Sequence, residues 1–578
     1  MSETAPRFNL LDEPWILCRL VDGTTAELSI RDVFARAPEI RRVAGELATQ
    51  DYAVLRILLA AFWRAHVDDD LLLSPRPDAR RWWLELLRRA PDGPDPCVEE
   101  YLAEVHERFW LLHPEAPFLQ VASLRTGKGE HFGVARILVD SESEYFAQRV
   151  ASGAESLSPA EAARWLVHTQ AYDYSGIKSG ALDDPRVKGG RGYPIGTGWA
   201  GATGGVVLHG PTLAQTLVLN TPADLLVGDR AERDLPAWER EPATAAPRPT
   251  EHPDGPCDVL TWQSRRIRLF AGGSGQGDRI TGVLVANGDR VEAKNQFADP
   301  MTAYRHSKNQ SSRAQTVHMP QTHDPVRTLW RGVGPLLQRE GATEAGRAGS
   351  ADTAPKQPQT LRFLARFTAD EALPTGTAVD VELVGAVYGT QSAVVTDVVH
   401  DRLTVELGLL TAQGEGLTRL VVDAAETTTA ATSALGSFAG MLLQAAGGDY
   451  AYQGDTAESV LHGLDARFRN WIRGLSLGVS PDQAREQWFR TVHRVVRTRA
   501  VEMIAGAGQR ALIGRTVVDR NGKEQLASAA TAERWLIRRL YELMPLPNAR
   551  HSARPAPEDA PSGTDAPTPE TEKEHSPS

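Results

Sequence analysis

The residues best suited to chemistry are few and widely spaced. His318 and His323 lie five residues apart with a proline between them, but no cysteine or carboxylate pair completes a tetrahedral metal set. The sequence contains no G-x-S-x-G, H-E-x-x-H or Cys/His signature, and no acidic cluster has the spacing of a two-metal nuclease. We therefore expect no metal, no cofactor and no enzymatic activity. A hydrolase centre assembled from dispersed carboxylates stays open as an alternative.

Two glycine-containing segments only partly match phosphate-binding loops. The run Gly272–Gly277 precedes a predicted strand, Ile280–Ala286, whereas a dinucleotide-binding fingerprint leads into a helix. The segment Gly176–Ser179 has no glycine directly before its lysine and follows a predicted helix C-terminus, where the helix dipole disfavours phosphate. The first segment predicts a hairpin loop. The second predicts no ATP site, but its small residues would let the backbone lie close to nucleic acid.

A stripe of arginines follows the helix start at Ser480. At helical spacing, Trp488, Val492 and Val495 share one face, and the opposite face carries His493 with Arg490, Arg494 and Arg497. No acidic residue is interleaved between Arg490 and Arg499. The stripe is either a solvated face or a set of contacts to DNA phosphates.

Composition limits the class of protein. The chain has 578 residues, 41% of them hydrophobic, with 63 Lys and Arg against 74 Asp and Glu and a formal net charge of −11. This composition is typical of globular proteins, and the length predicts about three to four folding units. Three widely separated cysteines exclude a disulfide scaffold. The acidic balance argues against a protein that coats nucleic acid by bulk charge, but it allows a local basic groove.

The sequence shows no export or membrane signal. Its opening residues lack a basic stretch followed by an apolar one, and charged residues interrupt its most apolar windows. We expect a cytoplasmic protein without membrane contacts.

The elements that would position these residues are mixed in the first two-thirds of the chain. Residues 47–65 have apolar positions at helical spacing, with Thr49 as a possible N-cap. Ser158-Pro-Ala-Glu161 is a capping box that predicts a helix to about Ala171. The glycine-dense residues 172–210 predict irregular backbone, and residues 261–292 predict a strand, a glycine-rich turn and a second strand.

The last third predicts helices. The segments Leu403–Gln444 and Ala529–Met544, with apolar stripes over residues 460–472 and 488–496, indicate about four long helices. The fold class is therefore α+β. We expect a large mixed domain with irregular Gly-rich loops over residues 1–395, an all-α four-helix bundle over 396–546, and a disordered tail over 547–578.

Several segments together resemble one known family, the CasA family, which is the large subunit of the type I-E CRISPR Cascade surveillance complex. The N-terminal signature consists of NLLDEPWI (residues 9–16), LATQD (47–51) and HPEAPFLQ (113–120). Further matching segments follow in family order at 158–180, 235–238 and 299–302, together with the C-terminal helices. The resemblance covers about residues 8–546.

The resemblance implies roles for particular residues. Gln391, between Thr390 and Ser392, is similar to the glutamine wedge beneath the protospacer-adjacent motif (PAM), the short sequence beside the DNA target. Lys294 resembles the lysine that enters the minor groove, and Tyr174-Ser175-Gly176 resembles the family's glycine loop. Phe146, or alternatively Tyr145, resembles the aromatic residue near the 5′ handle of the guide RNA, although core packing of either ring is an equal alternative. The arginine stripe would then lie along DNA.

The resemblance also implies a function. It indicates a non-catalytic subunit that reads the PAM in duplex DNA, wedges open the first base pairs so that R-loop formation starts, and helps recruit the helicase–nuclease. The implied partners are the guide RNA, the other Cascade subunits, double-stranded target DNA and the CRISPR helicase–nuclease. Besides the hydrolase, a docking scaffold that makes no base contacts remains an alternative.

Overall fold

The computed structural model describes residues 5–74, 77–139, 155–272, 279–325, 353–367, 378–518, 522 and 524–546. The helices there are α1 (Ile30–Ala35), α2 (Ala48–Arg64), α3 (Asp70–Leu73), α4 (Ala79–Arg89), α5 (Pro96–Glu104), α6 (Pro159–Tyr172), α7 (Leu213–Leu219), α8 (Asp229–Arg233), α9 (Pro256–Leu260), α10 (Gln359–Leu364), α11 (Glu415–Ala445), α12 (Gly454–Arg473), α13 (Pro481–Gly506), α14 (Gly508–Ile513) and α15 (Ala529–Leu543).

The strands in the same residues are short, except for one long pair near residue 390. They are β1 (Arg7–Asn9), β2 (Ile16–Leu20), β3 (Thr25–Leu28), β4 (Ile40–Val43), β5 (Trp110–Leu112), β6 (Phe132–Gly133), β7 (Lys178–Ser179), β8 (Arg191–Gly192), β9 (Gly205–His209), β10 (Arg265–Ala271), β11 (Ile280–Asn287), β12 (Tyr304–His306), β13 (His318–Pro320), β14 (Ala378–Tyr388), β15 (Val395–Glu406), β16 (Arg515–Val518) and β17 (Glu524–Ala527).

The strands form small antiparallel sheets. The three-stranded sheets have the orders β3-β2-β4, β10-β11-β6 and β15-β14-β9. The two-stranded sheets pair β1 with β5, β7 with β8, β12 with β13, and β16 with β17. The presence of both helices and antiparallel sheets confirms the mixed composition that the sequence predicts, including the antiparallel pairing of β10 with β11.

The chain divides into two compact units. One consists of Met1–Thr429 with Glu458–Trp488, and the other of Ala430–Ala457 with Phe489–Ser578. None of the helices in the described part of the chain is long and apolar enough to cross a membrane.

Helix α2 forms the centre of the first unit and is apolar on nearly all sides. Its one deeply buried cation, Arg56, donates a hydrogen bond of 2.7 Å to the Asp299 carboxylate, and the two side chains are 2% and 0% exposed. Arg56 also donates to the carbonyl of Val259 (3.0 Å), and the indole of Trp199 donates to Asp299 (3.0 Å). Since a buried charge is tolerated only when it is paired and hydrogen-bonded, these contacts allow α2 to lie in the core.

Helix α6 begins as its capping box predicts. The Ser158 hydroxyl accepts from the Glu161 amide (3.2 Å), and the Glu161 carboxylate accepts from the Ser158 amide (2.9 Å). The Thr49 N-cap predicted for α2 is wrong, because Leu47 occupies that position without a side-chain cap. The amides just before α2 are bonded instead by side chains of its first turn, with Asp51 accepting from Gly45 at 2.5 Å.

Strand β15 lies where the sequence predicts the start of a helix. The helix predicted from Leu403 is wrong at its start, because β15 pairs with β14 along its whole length and α11 begins only at Glu415. The buried residues of β15 near this point are Leu403 and Val405, with the period of two that is typical of a strand. The antiparallel sheet β15-β14-β9 therefore continues past residue 395, where the sequence predicts that the helical domain begins.

The long helices of the last third are present. In the described residues after 407, the helices of fifteen residues or more are α11, α12, α13 and α15. The predicted apolar stripe of α12 is buried, as are Trp488, Val492 and Val496 of α13. Within the first unit the rings of Phe468 and Trp488 pack 4.9 Å apart, and the Trp488 indole donates to the Thr428 hydroxyl. The four-helix bundle stays a prediction, and the predicted tail at 547–578 lies outside the described residues.

Candidate nucleic-acid interface

The connection between β14 and β15 presents Gln391 to solvent. This tip (residues 389–394) is closed by hydrogen bonds from the Gly389 amide to the Val394 carbonyl and from the Ser392 amide to the Gly389 carbonyl, both 2.9 Å. Gln391 and Ser392 have φ angles of 55° and 54°, a left-handed conformation that non-glycine residues rarely adopt. Thr390 and Gln391 are exposed, and Ser392 is half-buried. The tip therefore projects a glutamine on a tightly constrained backbone.

The predicted glycine loop (Tyr174–Gly176) contacts this tip directly. The Ser175 amide donates to the Ser392 carbonyl at 2.7 Å, although the two residues are far apart in sequence. At the base of the tip, the Tyr388 hydroxyl donates to the Tyr172 carbonyl, also at 2.7 Å. The structure thus brings together two segments that the sequence predicted separately.

A buried carboxylate holds the glycine loop in place. Asp173 is 3% exposed and accepts from Arg265 Nε at 2.5 Å and Arg136 Nη1 at 3.0 Å, and Lys178 Nζ lies 3.0 Å away. Burial opposes ionisation of Asp173, but the charges of Arg265, Arg136 and Lys178 outweigh it and hold the pKa of this carboxyl well below its usual range. We call these four residues the Asp173 cluster.

Arg265 extends the Asp173 cluster into the loop backbone. Its guanidinium donates to the carbonyls of Tyr174 (2.9 Å) and Gly196 (2.7 Å). A guanidinium presents several donors in a fixed plane, so it fixes the direction of the carbonyls it contacts. Arg265 therefore orients the backbone of the glycine loop from its buried side.

The ammonium group of Lys178 does not face solvent. It is buried, and its ammonium lies 3.9 Å from the ring centroid of Tyr174, on which Arg136 also packs at 4.9 Å. Burial, together with the positive charges of Arg136 and Arg265, lowers the pKa of Lys178 to about 8 although Asp173 opposes this shift. The lysine supports Tyr174 through a cation–π contact rather than facing a ligand.

Lys294 lies on a separate loop beside the tip. It is exposed, and the next residue, Asn295, anchors the loop through its amide to the His318 carbonyl (2.9 Å) and its side chain to the Thr316 carbonyl (3.0 Å). A cleft of about 610 Å³ is lined by Lys294, by Tyr388 and Ser392 of the hairpin, and by residues within 195–202 and 289–293. The cleft brings Lys294 and the tip to one surface.

A second buried carboxylate fastens the base of the hairpin. Glu382 of β14 accepts from His209 of β9 at 2.6 Å, from His400 of β15 at 2.7 Å, and from Arg402 at 2.5 Å. Burial opposes ionisation of Glu382, but the hydrogen bonds from His209 and His400 outweigh it and lower its pKa to about 2. The same contact with Glu382 raises the pKa of His400. All three strands of this sheet are thereby joined through one side chain.

The arginine stripe lies on α13, in the second unit. Arg490, Arg494 and Arg497 are exposed, as predicted. His493 was predicted on the same face, and this is wrong. It is 5% exposed and its Nε2 lies 2.9 Å from the Met544 carbonyl.

The remaining candidates are placed differently. Tyr145 and Phe146 lie outside the described residues, so their role stays a prediction. His318 and His323 each contact a backbone carbonyl, that of Ala354 at 3.0 Å and that of Gly205 at 2.9 Å.

The comparison with known proteins identifies the family. The family model described as CRISPR-associated protein Cse1 matches residues 9–498. The chain belongs to the Cse1 family. A CasA/Cse1 protein of Thermus thermophilus is 28% identical over 440 residues, which cover 73% of this chain and 78% of the relative. This confirms the resemblance seen in the sequence.

Solved structures agree with the assignment to the Cse1 family. The crystal structure of Thermobifida fusca Cse1 matches with a TM-score of 0.80 and 38% identity, covering 93% of this chain and 98% of that one. A chain of a solved CRISPR RNA-guided surveillance complex shares the fold, with a TM-score of 0.67, 19% identity, and coverage of 93% and 100%.

Sequence analysis missed the residues that support the site in this Cse1-family chain. Asp173, Arg265 and Glu382 were not singled out. Asp173 and Arg265 are 92 residues apart in the chain, and Glu382 and His209 are 173 residues apart. One signal was available. The arginine pair at 265–266 begins a strand whose remaining residues are apolar except for Arg268, and charged residues in such a strand are buried only when they are paired.

Replacing Asp173 tests the support of the glycine loop. We expect Asp173→Asn to lower the free energy of unfolding by about 3–5 kcal/mol, because it leaves three cations without their buried partner. Urea denaturation followed by tryptophan fluorescence measures this. Asp183→Asn is the matched control, since Asp183 is 80% exposed and lies 3.9 Å from Arg125, and its effect should stay within about 0.5 kcal/mol. Equal effects of both changes would contradict the assignment.

The lowered pKa of Glu382 predicts that the free energy of unfolding decreases at acidic pH. Its pKa is about 2 in the folded chain against an ordinary 4.5, so its contribution is present above about pH 4.5 and is lost as the pH falls through about 2. The loss should be about 3 kcal/mol, since one pKa unit corresponds to about 1.4 kcal/mol. Urea denaturation at several pH values between about 5 and 2 measures it.

Two variants complete that experiment. Glu382→Gln should abolish this part of the pH dependence, whereas Asp380→Asn should retain it, because an asparagine still accepts the hydrogen bond from Thr404. A pH profile that is identical in wild type and Glu382→Gln would show that the carboxylate does not contribute.

Proposed function

We propose that this Cse1-family chain is the non-catalytic DNA-recognition subunit of an RNA-guided surveillance complex. It reads the PAM in duplex DNA, opens the first base pairs so that guide pairing begins, and helps recruit the helicase–nuclease. The observation that carries the proposal is the joining of the glycine loop to the tip, through the bond from Ser175 to Ser392, beside the cleft that holds Lys294. The fold shared with a chain of such a complex supports it.

Each element in the cleft or beside it suits one part of the task. Gln391 is exposed on a constrained backbone, so its side chain can occupy the space of an opened base pair and bond to base edges. Lys294 is a flexible cation, which suits a minor groove whose donor and acceptor pattern is degenerate. The glycine loop allows close approach of backbone to DNA, and the Asp173 cluster holds it still.

The charge distribution explains why a complex is needed. Several arginines near the cleft are neutralised by buried carboxylates, and the chain carries a net charge of −11. Few phosphate contacts give little counterion release, so the isolated chain should bind DNA weakly. Guide pairing supplies the long sequence recognition, and this subunit adds the short motif. Phe146 or Tyr145 would help hold it near the guide RNA handle.

Gln391→Ala and Lys294→Ala test the recognition role. In the reconstituted guide complex, each should weaken binding to duplexes that carry the preferred motif by about 10-fold, since a lost base contact removes about 1–3 kcal/mol. Gln391→Ala should also reduce strand opening, read out with a fluorescent base beside the motif. The duplexes differ only in the base pairs next to the target.

Matched controls are available on the same chain. Gln413 and Lys128 are exposed and lie outside the cleft residues, so Gln413→Ala and Lys128→Ala should leave binding unchanged. If all four variants bind alike, the chain is a docking scaffold without base contacts. Metal-dependent cleavage of DNA or RNA by the isolated chain would instead favour the hydrolase.

The arginine stripe gives a second prediction. If Arg490, Arg494 and Arg497 contact phosphates, each alanine substitution should weaken binding equally on all sequences and reduce the salt slope, d log K/d log [salt], by about 1. Filter binding by the complex over a range of salt concentrations measures this. Arg538→Ala is the control. Arg538 lies on α15 rather than α13, and it is 3.7 Å from Glu542 on the same helix. An unchanged slope would show that the stripe is a solvated face.

A further inference from the structure

A group of metal-binding side chains lies away from the cleft, where α2 ends and α5 begins. His66 follows the last turn of α2, Asp95 is the N-cap of α5, and Cys97 lies in the first turn of α5. One ligand atom from each residue, a ring nitrogen, a carboxylate oxygen and the thiol sulfur, all lie within 4.8 Å of one another. The function proposed above does not use this group.

The hydrogen bonds of His66 decide what its second nitrogen can do. The side chain is fully buried, and Nδ1 lies 2.7 Å from the Phe62 carbonyl, which can only accept, so Nδ1 carries the proton. Nε2 then points at Asp95 Oδ2, 3.1 Å away. In a neutral imidazole this would place two lone pairs against each other. A proton, on the ring or on the carboxyl group, or a metal ion must therefore lie between Nε2 and Oδ2.

The other atoms favour a metal ion over a proton. A carbonyl that holds one ring nitrogen of a histidine, with the other nitrogen directed at a ligand site, is the usual second shell of a metal-binding histidine. Asp95 divides its oxygens between two tasks, since Oδ1 accepts from the Cys97 amide (3.2 Å) and Oδ2 faces His66. A proton shared by His66 and Asp95 would give no role to the sulfur of Cys97.

The surroundings also suit a cation. Asp69, the N-cap of the short helix α3, adds a second carboxylate near Cys97. Arg89 approaches Asp95 only to 3.9 Å, and its side chain is 63% exposed. The rings of Phe62 and Trp82 pack on His66 at 4.6 and 5.3 Å and exclude water from that side.

We propose that His66 Nε2, Asp95 Oδ2 and Cys97 Sγ bind a Zn²⁺ ion, with a water at the fourth position. Zinc accepts nitrogen, oxygen and sulfur together, at bond lengths of about 2.0–2.3 Å that place tetrahedral ligands about 3.3–3.8 Å apart. The three ligand atoms lie within 4.8 Å of one another, so they would have to approach by about 1 Å to reach this spacing. On binding, the Cys97 thiol loses its proton to solvent and the thiolate bonds to zinc. The ion would link the end of α2 to the start of α5.

Cobalt is the probe, because a thiolate ligand gives Co²⁺ a charge-transfer absorption that oxygen and nitrogen ligands do not. The full chain is treated with a chelator, exchanged into clean buffer and titrated with Co²⁺, and then with Zn²⁺ in competition. We expect one equivalent of Co²⁺ with a thiolate band and tetrahedral visible bands, displaced by one equivalent of Zn²⁺. The melting temperature should rise with Zn²⁺.

Variants assign the ligands. Cys97→Ser should abolish the thiolate band, and Asp95→Asn, which keeps the N-cap acceptor, should weaken binding by more than the about 10–100-fold that loss of an outer-shell partner causes. Cys18→Ala and Cys257→Ala should retain the band, since both cysteines are buried elsewhere. Thermal unfolding without metal checks that each variant folds. Absence of the band in the wild type, or its persistence in Cys97→Ser, would overturn the proposal and leave an imidazolium–carboxylate pair.

Discussion

The ionised carboxylate of Asp173 is the interaction on which the candidate interface depends. It is surrounded by Arg265, Arg136 and Lys178, and the first of these passes the constraint to the carbonyls of the glycine loop. The loop in turn bonds to the hairpin tip through Ser175. Because an unpaired charge in this position costs several kcal/mol, each of the four charges depends on the others for its stability in the folded chain. The glycine loop and the hairpin tip, which have little regular secondary structure, are thereby held in a fixed arrangement.

Local sequence signals identified the elements well. The capping box at Ser158 fixed the start of α6, and the apolar stripe of α12 identified its buried face. Such features depend on residues three or four apart, so they can be recognised in one segment. Strand β15 was predicted as helix because an Ala- and Leu-rich helix begins soon after it, and two alternating apolar residues, Leu403 and Val405, also fit the start of that helix.

The candidate site divides in the same way. Gln391 and Lys294 were predicted through the family resemblance, and both side chains are exposed. Lys294 lines the cleft, and Gln391 lies at the tip of the hairpin beside it. Their supports could not be predicted, because Asp173 with Arg265, and Glu382 with His209, are pairs that only the tertiary fold brings together. His493 was misplaced for a related reason. The prediction divided α13 into one apolar and one charged face, but His493 lies on a third side of the helix, which is buried near the Met544 carbonyl.

The left-handed backbone at Gln391 has a consequence for how this hairpin could change. An L-residue in that conformation costs about 1–2 kcal/mol relative to glycine, so a glycine at position 391 would be the more stable choice. Selection for thermal stability alone would therefore favour glycine at position 391, which would remove the projecting side chain. A β-branched residue would be excluded by sterics, and the number of side chains that fit is small. The tip is thus a position where stability and the presence of a side chain are opposed.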